Sequence, residues 1–285
     1  MKILILGASG MVGHSLYNSL KDDHDLFISL RRESSYLEEY FAEAQRVIYF
    51  EAENIFSLSG SISDLKPEVI INAIGITKQM TGSSVSNSIF VNSMFPHQLL
   101  EVCQHQGIRL ITLSSDCVFS GTKGNYNELD DPDATDLYGK TKILGELDTE
   151  GSLTLRKSTI GLELKEKHGL IEWWLSETGK INGYKKAIYS GIITSELGKV
   201  ISLAIKDYPD LSGIWHISSK PISKYDLLLK LGSKINKRDI ELQPDEDFIC
   251  DRSLDSSSFY KLTNYKPPSW DEMLDSLAQE ILKKY

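Results

Sequence analysis

Cysteine is scarce in this 285-residue chain: Cys103, Cys117 and Cys250 are odd in number and far apart. Without a C-x-x-C pair they make neither a disulfide framework nor a zinc knuckle, and they read as free thiols of a reducing compartment. The six histidines include no H-E-x-x-H pair, so a zinc hydrolase has no support. No apolar run approaches the ~18–20 residues of a membrane helix, and Ile3–Leu6 is too short for the core of a signal peptide. Basic charge is also short. Thirty-one Lys and Arg against forty Asp and Glu leave −9, a poor balance for general binding to nucleic acid or an anionic membrane. Ser114 and Ser115 lack the G-x-S-x-G elbow of a serine hydrolase, and no Gly-Lys-Ser/Thr follows the glycine loop as a P-loop requires. Repeats, low-complexity tracts and an obvious linker are missing as well. What is present has ordinary globular composition, 41% hydrophobic and 25% charged, and is expected in the cytoplasm.

The first half alternates short β-branched apolar runs with longer segments of helical spacing. Lys2–Leu6, Leu26–Leu30, Val47–Phe50, Val69–Ala73 and Arg109–Ser114 read as strands covered on both faces. Val12–Leu20, Tyr36–Ala44 and Phe95–Gln106 read as helices between them. This alternation predicts an α/β fold of Rossmann type, a doubly wound parallel sheet with helices on both sides. Later segments are more mixed: Leu153–Arg156 and Ile214–Ile217 read as strands, Glu196–Ile205 and Tyr225–Ile235 as helices. Pro267-Pro268 precedes a last amphipathic helix, Trp270–Leu282, with Ser269 as its N-cap. The expected organisation is a dinucleotide lobe over residues 1–160, to which 191–218 return. A smaller α/β substrate lobe takes 161–190 and 219–285.

Gly7-Ala-Ser-Gly10-Met-Val-Gly13 lies between the first strand and the first helix. A turn without side chains lets phosphate oxygens approach, and the helix N-terminus presents free N–H groups and partial positive charge. Gly7, Ser9, Gly10, Met11, Val12 and Gly13 are therefore candidate cofactor residues. The spacing is G-x-x-G-x-x-G rather than G-x-G-x-x-G. Arg31-Arg32 follow the second strand, where an NAD site places an acid. Arginine there suits the 2′-phosphate of NADPH, with NADH as the alternative cofactor.

Tyr138-Gly-Lys-Thr-Lys142 puts a phenol and an ammonium four residues apart on one helix face. A nearby fixed cation draws the phenol from its reference pKa of about 10 toward working pH, so that it can exchange a proton with a carbonyl or alcohol. Ser115, just past the fifth strand, is placed to hydrogen-bond the same oxygen. The acidic cluster Asp130, Asp131, Asp133 and Asp136 has no metal-ligand spacing and reads as a solvated loop. No metal site is expected. Trp173-Trp174 supply at least one core residue, and His216 reads as structural.

In combination these features resemble an extended short-chain dehydrogenase/reductase, and within it the dTDP-4-dehydrorhamnose reductase group. The matching stretches are Gly7–Gly13, Asn72-Ala73, Asn92 opening the following helix, and Leu113-Ser-Ser-Asp-Cys-Val-Phe119. They continue with Tyr126, Glu128, Pro132, Tyr138–Lys142, Leu155-Arg-Lys-Ser158, Gly213–Ile217, Arg252–Asp255 and Trp270. The resemblance makes Tyr138 the acid, Lys142 its modulator and ribose ligand, Ser115 the carbonyl-orienting hydroxyl, and Asn92 the support of a water relay to the lysine. It adds Asn72, Ala73, Ile74 and Gly75 to the cofactor residues, and Asp116, Lys78 and Arg252 to Ser115 on the substrate side. Ile76-Thr-Lys-Gln79 departs from the group's usual substrate loop. The implied activity is NADPH-dependent reduction of a nucleotide-linked 4-keto-6-deoxysugar, with a homodimer as the candidate assembly. A sugar dehydratase is disfavoured because Cys117 follows Asp116 where that class has glutamate. Two alternatives stand: an epimerase of the same superfamily, and a non-catalytic NADP-binding regulatory subunit, the role of the beta subunit of methionine adenosyltransferase. Under the catalytic reading, Cys117 is a packing residue.

Overall fold

The structure, a computed structural model, describes residues 1–82, 84–165 and 167–285. In chain order the strands are β1 (Lys2–Leu6), β2 (Asp25–Leu30), β3 (Arg46–Tyr49), β4 (Val69–Asn72), β5 (Arg109–Leu113), β6 (Ser152–Lys157), β7 (Thr159–Ile160), β8 (Gly179–Tyr189), β9 (Ile192–Ile193), β10 (Gly213–Ile217), β11 (Ile222–Ser223) and β12 (Ile240–Asp251). The helices are α1 (Met11–Leu20), α2 (Ser35–Tyr40), α3 (Ile55–Leu65), α4 (Val85–Ile89), α5 (Phe95–Gln106), α6 (Leu137–Leu144), α7 (Leu170–Ser176), α8 (Thr194–Lys206), α9 (Lys224–Lys234), α10 (Ser257–Thr263) and α11 (Trp270–Lys284). Among the described residues no helix is long and apolar enough to cross a membrane.

The chain groups into two units. The first is Met1–Ser115 with Thr135–Leu155 and Gly198–Ile214; the second is Asp116–Ala134 with Arg156–Leu197 and Trp215–Tyr285. The excursion 116–134, expected in the dinucleotide lobe, groups with the second unit.

The first unit is built on a seven-stranded sheet of order β10-β6-β5-β4-β1-β2-β3. Its registered pairs from β6 to β3 are all parallel. Ile3 to Leu6, Ile70, Ile71, Leu110 and Ile111 are 0% exposed, because helices cover both faces and the strands carry apolar side chains on each. Burying each such side chain stabilises the fold by roughly 1.5–3 kcal/mol. The doubly wound architecture expected from the alternation is the one observed. β1 lies between β2 and β4, so the strand order reverses at β1/β4, where open α/β sheets bind ligands beyond the strand ends.

Two stretches of this unit differ from expectation. The second helix ends at Tyr40 rather than Ala44, because Phe41 turns inward and sets its ring edge-on to Tyr17 at 4.8 Å. A helix also forms over Ile55–Leu65, capped by the Asn54 side chain, which accepts from Ser57 N at 3.2 Å.

The second unit carries a three-stranded sheet, β11-β8-β12, in which the long β8 and β12 run parallel. Trp174, Leu227, Leu231, Leu274 and Leu277 are at most 1% exposed and form apolar parts of α7, α9 and α11. Of the two tryptophans Trp174 is core, whereas Trp173 is 38% exposed. Ser269 caps α11 as expected, in a reciprocal capping box with Glu272.

Candidate functional site

The glycine loop follows β1 and opens α1, and its three glycines have different reasons to be there. Gly7 has φ +76, and a Cβ there would press on Ile74 and the Ala73 carbonyl carbon of the loop after β4. A Cβ on Gly13 would overlap the Gly7 carbonyl oxygen. Gly10 has an ordinary φ of −74, and a Cβ there would meet nothing nearer than Gly7 O at 3.5 Å. Packing within the chain thus accounts for Gly7 and Gly13 but not for Gly10. The α1 N-terminus has no side-chain cap and no acid in its first turn, and Ser9 and Gly10 are exposed beside half-buried Met11 and Val12. A dinucleotide diphosphate fits such a bare, uncapped helix start.

Neighbouring loops are fixed from below. Ser29, on β2, accepts from Gly7 N at 3.0 Å through its hydroxyl and from Ala8 N at 3.2 Å through its carbonyl. Asn72, at the end of β4, accepts from Ile74 N at 3.1 Å and shapes the Ala73–Gly75 turn. Arg31 and Arg32 are both exposed after β2.

The helix that carries Tyr138 and Lys142 is α6. The Asp136 side chain caps it, accepting from Gly139 N at 3.0 Å, and also pairs with Lys78 at 2.9 Å. Lys78, expected on the substrate side, is thus in a half-exposed ion pair, worth about 0–1 kcal/mol. Tyr138 and Lys142 are both half-buried on α6. Lys142 Nζ donates to Leu113 O at 2.7 Å, the last residue of β5 and two before Ser115. Ser115 is 8% exposed. The neighbouring Ser114 hydroxyl donates to Glu146 at 2.6 Å.

Asn92 does not open a helix. It lies inside a helical run, in the π-helical turn Phe90–Met94 between α4 and α5. Single π turns widen a helix locally and recur at functional sites. This one directs the Asn92 side chain at the loop after β4 and toward α6. Its Oδ1 accepts from Ile76 N at 2.9 Å, and its Nδ2 donates to Ile76 O at 3.0 Å and to Thr141 Oγ1 at 3.2 Å. Ser93 Oγ donates to Thr141 O at 2.8 Å, and a Cβ on Gly145 would overlap Asn92 O. Sequence reasoning missed Ser93, Thr141 and Gly145, whose roles arise only from this contact between α6 and the π turn.

In the second unit, Asp116 is 7% exposed at the start of a 3₁₀ turn, Asp116–Val118. Arg252 donates through Nε to Phe119 O at 2.7 Å and through Nη1 to Cys117 Sγ at 3.5 Å. Lys157 at the end of β6 was not singled out from the sequence; burial brings its amine down to about 8, with Asp116 and Cys117 opposing the shift. His216 is 0% exposed between the Tyr126 carbonyl and Arg156. The loop acids have local partners: Asp130 pairs with Lys123 at 2.5 Å, and Asp133 accepts from Ser120 N and Oγ at 2.6 Å each. Among the described residues no group of three or more His, Cys, Asp or Glu is placed to hold a metal ion.

Comparison with known proteins bears on this arrangement. A family model, the RmlD substrate binding domain, matches residues 1–158. Methionine adenosyltransferase 2 subunit beta of Xenopus tropicalis is 24% identical over 269 residues, 86% of this chain and 75% of that protein. The dTDP-4-dehydrorhamnose reductase of Burkholderia thailandensis is 30% identical over 149 residues, 52% of this chain and 45% of that one. Among solved structures, a hypothetical dTDP-4-dehydrorhamnose reductase from Sulfolobus tokodaii superposes with a TM-score of 0.79 at 25% identity, covering 95% of this chain and 98% of the other. A dTDP-4-dehydrorhamnose reductase from Bacillus anthracis, solved in complex with NADP, gives 0.79 at 19% identity over 98% and 99% of the two chains. The family match spans more than half of the sequence and includes the glycine loop, Ser115, Tyr138 and Lys142: the chain belongs to the RmlD substrate binding domain family.

Proposed function

We propose that the chain is an NADPH-dependent reductase of a nucleotide-linked 4-keto-6-deoxysugar. The observation that carries this reading is the seating of α6. Asp136 and the Asn92 turn hold that helix with Tyr138 and Lys142 on one face, and Lys142 is anchored to the strand end that leads into Ser115. The relatives from Burkholderia thailandensis and Sulfolobus tokodaii support the same reaction class.

A nicotinamide dinucleotide with its diphosphate held at the glycine loop would supply hydride for the keto carbon. Tyr138 gives its phenolic proton to the oxygen as negative charge develops there. The Lys142 ammonium lowers the cost of the phenolate left behind, and Ser115 donates a hydrogen bond that strengthens as the oxygen gains charge. Arg31 and Arg32 supply planar, permanently charged donors for a 2′-phosphate. The experiment is to follow NADPH oxidation with a panel of 4-ketosugar nucleotides and to determine product stereochemistry. Turnover that drops at least ~100-fold in Tyr138→Phe supports the mechanism; undiminished turnover in that variant overturns it.

The similarity to methionine adenosyltransferase 2 subunit beta across 86% of the chain favours a second reading, a dinucleotide-binding regulatory subunit. A chain that binds NADPH, reduces no ketosugar nucleotide, and alters the activity of an added methionine adenosyltransferase catalytic subunit would support that reading instead.

A further inference from the structure

Gly10 is the glycine of the loop that packing does not require, and a glycine left to itself is the least fixed residue a chain can have. Here it is tied on both sides. Its N–H donates to Gly7 O at 3.1 Å. Its carbonyl accepts twice from His14, one turn along α1: from the backbone N–H at 3.1 Å and from ring Nδ1 at 2.9 Å. A carbonyl oxygen only accepts, so Nδ1 carries the proton of that bond. The backbone bond starts any α-helix; the ring bond is particular to this side chain.

His14 is 8% exposed, and its ring meets that of Tyr40 edge-on at 6.2 Å. An imidazole is a costly choice for such a place. Leucine has the stronger helix preference and packs without a polar atom to satisfy. What the imidazole adds is a second hold on Gly10 O. A trans peptide sets its C=O and N–H antiparallel, so a carbonyl held along α1 keeps the Met11 N–H outward from the helix start. Met11 is the first residue of α1, and its amide is among the donors that an uncapped start leaves for a ligand. A carbonyl that accepts a second hydrogen bond also polarises its peptide and strengthens the opposite N–H as a donor.

We propose that His14 is a positioning residue of the cofactor site: by clamping Gly10 O it fixes the Met11 N–H toward the dinucleotide diphosphate. This rests on the nicotinamide-dinucleotide part of the reading above and not on the identity of the sugar. NADPH and NADH carry the same diphosphate, so both depend on the clamp equally. Arg31 and Arg32, by contrast, bear on NADPH alone.

The test uses the full chain and separates the donor of His14 from its bulk. His14→Leu keeps a large side chain and removes the donor. His14→Ser is small, but a serine hydroxyl in a helix can donate to the carbonyl four residues back and so restores a bond to Gly10 O. Calorimetric titrations with NADPH and with NADH give the dissociation constants, and thermal melting gives the stability. The expected result is a loss of ~5-fold or more in His14→Leu for both cofactors alike, and of at most about twofold in His14→Ser. Melting temperature should rank the other way, with the leucine variant above the serine variant, because serine leaves a cavity. Packing alone does not put affinity and stability in opposite order. A folded His14→Leu chain that binds both cofactors like wild type overturns the proposal, as does an affinity loss that tracks melting temperature; neither touches the reductase reading. A chain that shows the expected His14 pattern and reduces no 4-ketosugar nucleotide upholds the clamp and overturns the reductase reading. A wild-type chain that binds neither cofactor overturns both. Should His14→Leu fail to fold, His14→Met, also without a donor, takes its place.

Discussion

Asn92 grips the backbone of Ile76 at both ends, accepting from its amide at 2.9 Å and donating to its carbonyl at 3.0 Å. One carboxamide thereby ties the loop after β4 to the π-helical turn, and a third bond to Thr141 ties that turn to α6. Asn92→Ala leaves all three bonds unmade in a buried place, a cost on the order of 1–3 kcal/mol per unsatisfied group. Asn92→Asp retains the acceptor for the Ile76 amide but loses both donors. Urea unfolding is expected to rank stability as wild type, then Asp, then Ala. NADPH affinity should follow the same rank, because Ile74 and Gly75 lie two and one residues before Ile76.

The glycine loop separates a packing role from a binding role. Gly13→Ala drives a methyl into the Gly7 carbonyl oxygen and should lower the melting temperature markedly. Gly10→Ala meets only ordinary contact at 3.5 Å, so the melting temperature should hold. The same methyl covers the place where a diphosphate approaches, and NADPH binding should weaken by ~10-fold or more. An unchanged dissociation constant in Gly10→Ala would place the diphosphate elsewhere.

Cofactor choice rests on Arg31 and Arg32. Replacing both by alanine should raise the NADPH dissociation constant ~10-fold or more, about 1.4 kcal/mol, and leave NADH nearly unchanged. The check is fluorescence titration with each reduced cofactor. Equal losses for both would mean that these arginines steer charge generally and do not recognise the 2′-phosphate.

Ser115 and Cys117, two residues apart, should behave oppositely. Cys117 contacts Arg252 through sulfur, and Cys117→Ala should keep the ketone-reduction rate within a few-fold. Ser115→Ala removes a hydrogen bond to the oxygen that gains charge and should cost ~100-fold or more in kcat. Steady-state kinetics on both variants with the same ketosugar nucleotide read this directly. The reverse ranking would move the reacting carbonyl from Ser115 toward Cys117.

His216 gives a pH dependence of stability. Burial, with the Arg156 cation adding to it, brings the imidazole down to about 4 from 6.5. Between those values the unfolded chain takes up a proton that the folded chain refuses. Stability therefore falls as pH falls through that window, by up to about 1.4 kcal/mol per pH unit, and the effect levels off below about 4. His216→Gln cannot titrate, so the gap in unfolding free energy between wild type and variant should narrow from pH 7 to pH 4.5. A gap that stays constant across those pH values would show that His216 does not titrate in the window.

How much of this was legible in the sequence varied with burial. β1, β4 and β5 announce themselves because both faces are covered, so an apolar run and a strand coincide. β8 and β12 do not. Most of their residues are exposed or half-exposed, and Ile240–Asp251 reads I-E-L-Q-P-D-E-D-F-I-C-D, which carries the charge and proline of a loop. α3 hides behind serines and a glycine in Ile55–Leu65, residues of weak helical preference that burial of Leu58, Ile62 and Leu65 overrides. At the candidate site, Tyr138 and Lys142 show in the sequence because i and i+4 is a local relation. The Asn92 clamp and the half-buried Lys157 depend on contacts far apart in sequence. Nothing in Phe90–Met94 signals a π turn, and a lysine ending a strand gives no sign of its burial.

The chain passes between its two units five times, at 115/116, 134/135, 155/156, 197/198 and 214/215. The family model ends at 158 and so takes in all of 116–134 but almost none of the rest of the second unit. Phe119, stacked on Tyr126 at 4.1 Å and 0% exposed in the whole chain, would be stranded in such a piece. Evolution therefore cannot trade either unit as a cassette by a single crossover. Recombination that respects the fold must carry the interleaved segments of both units together.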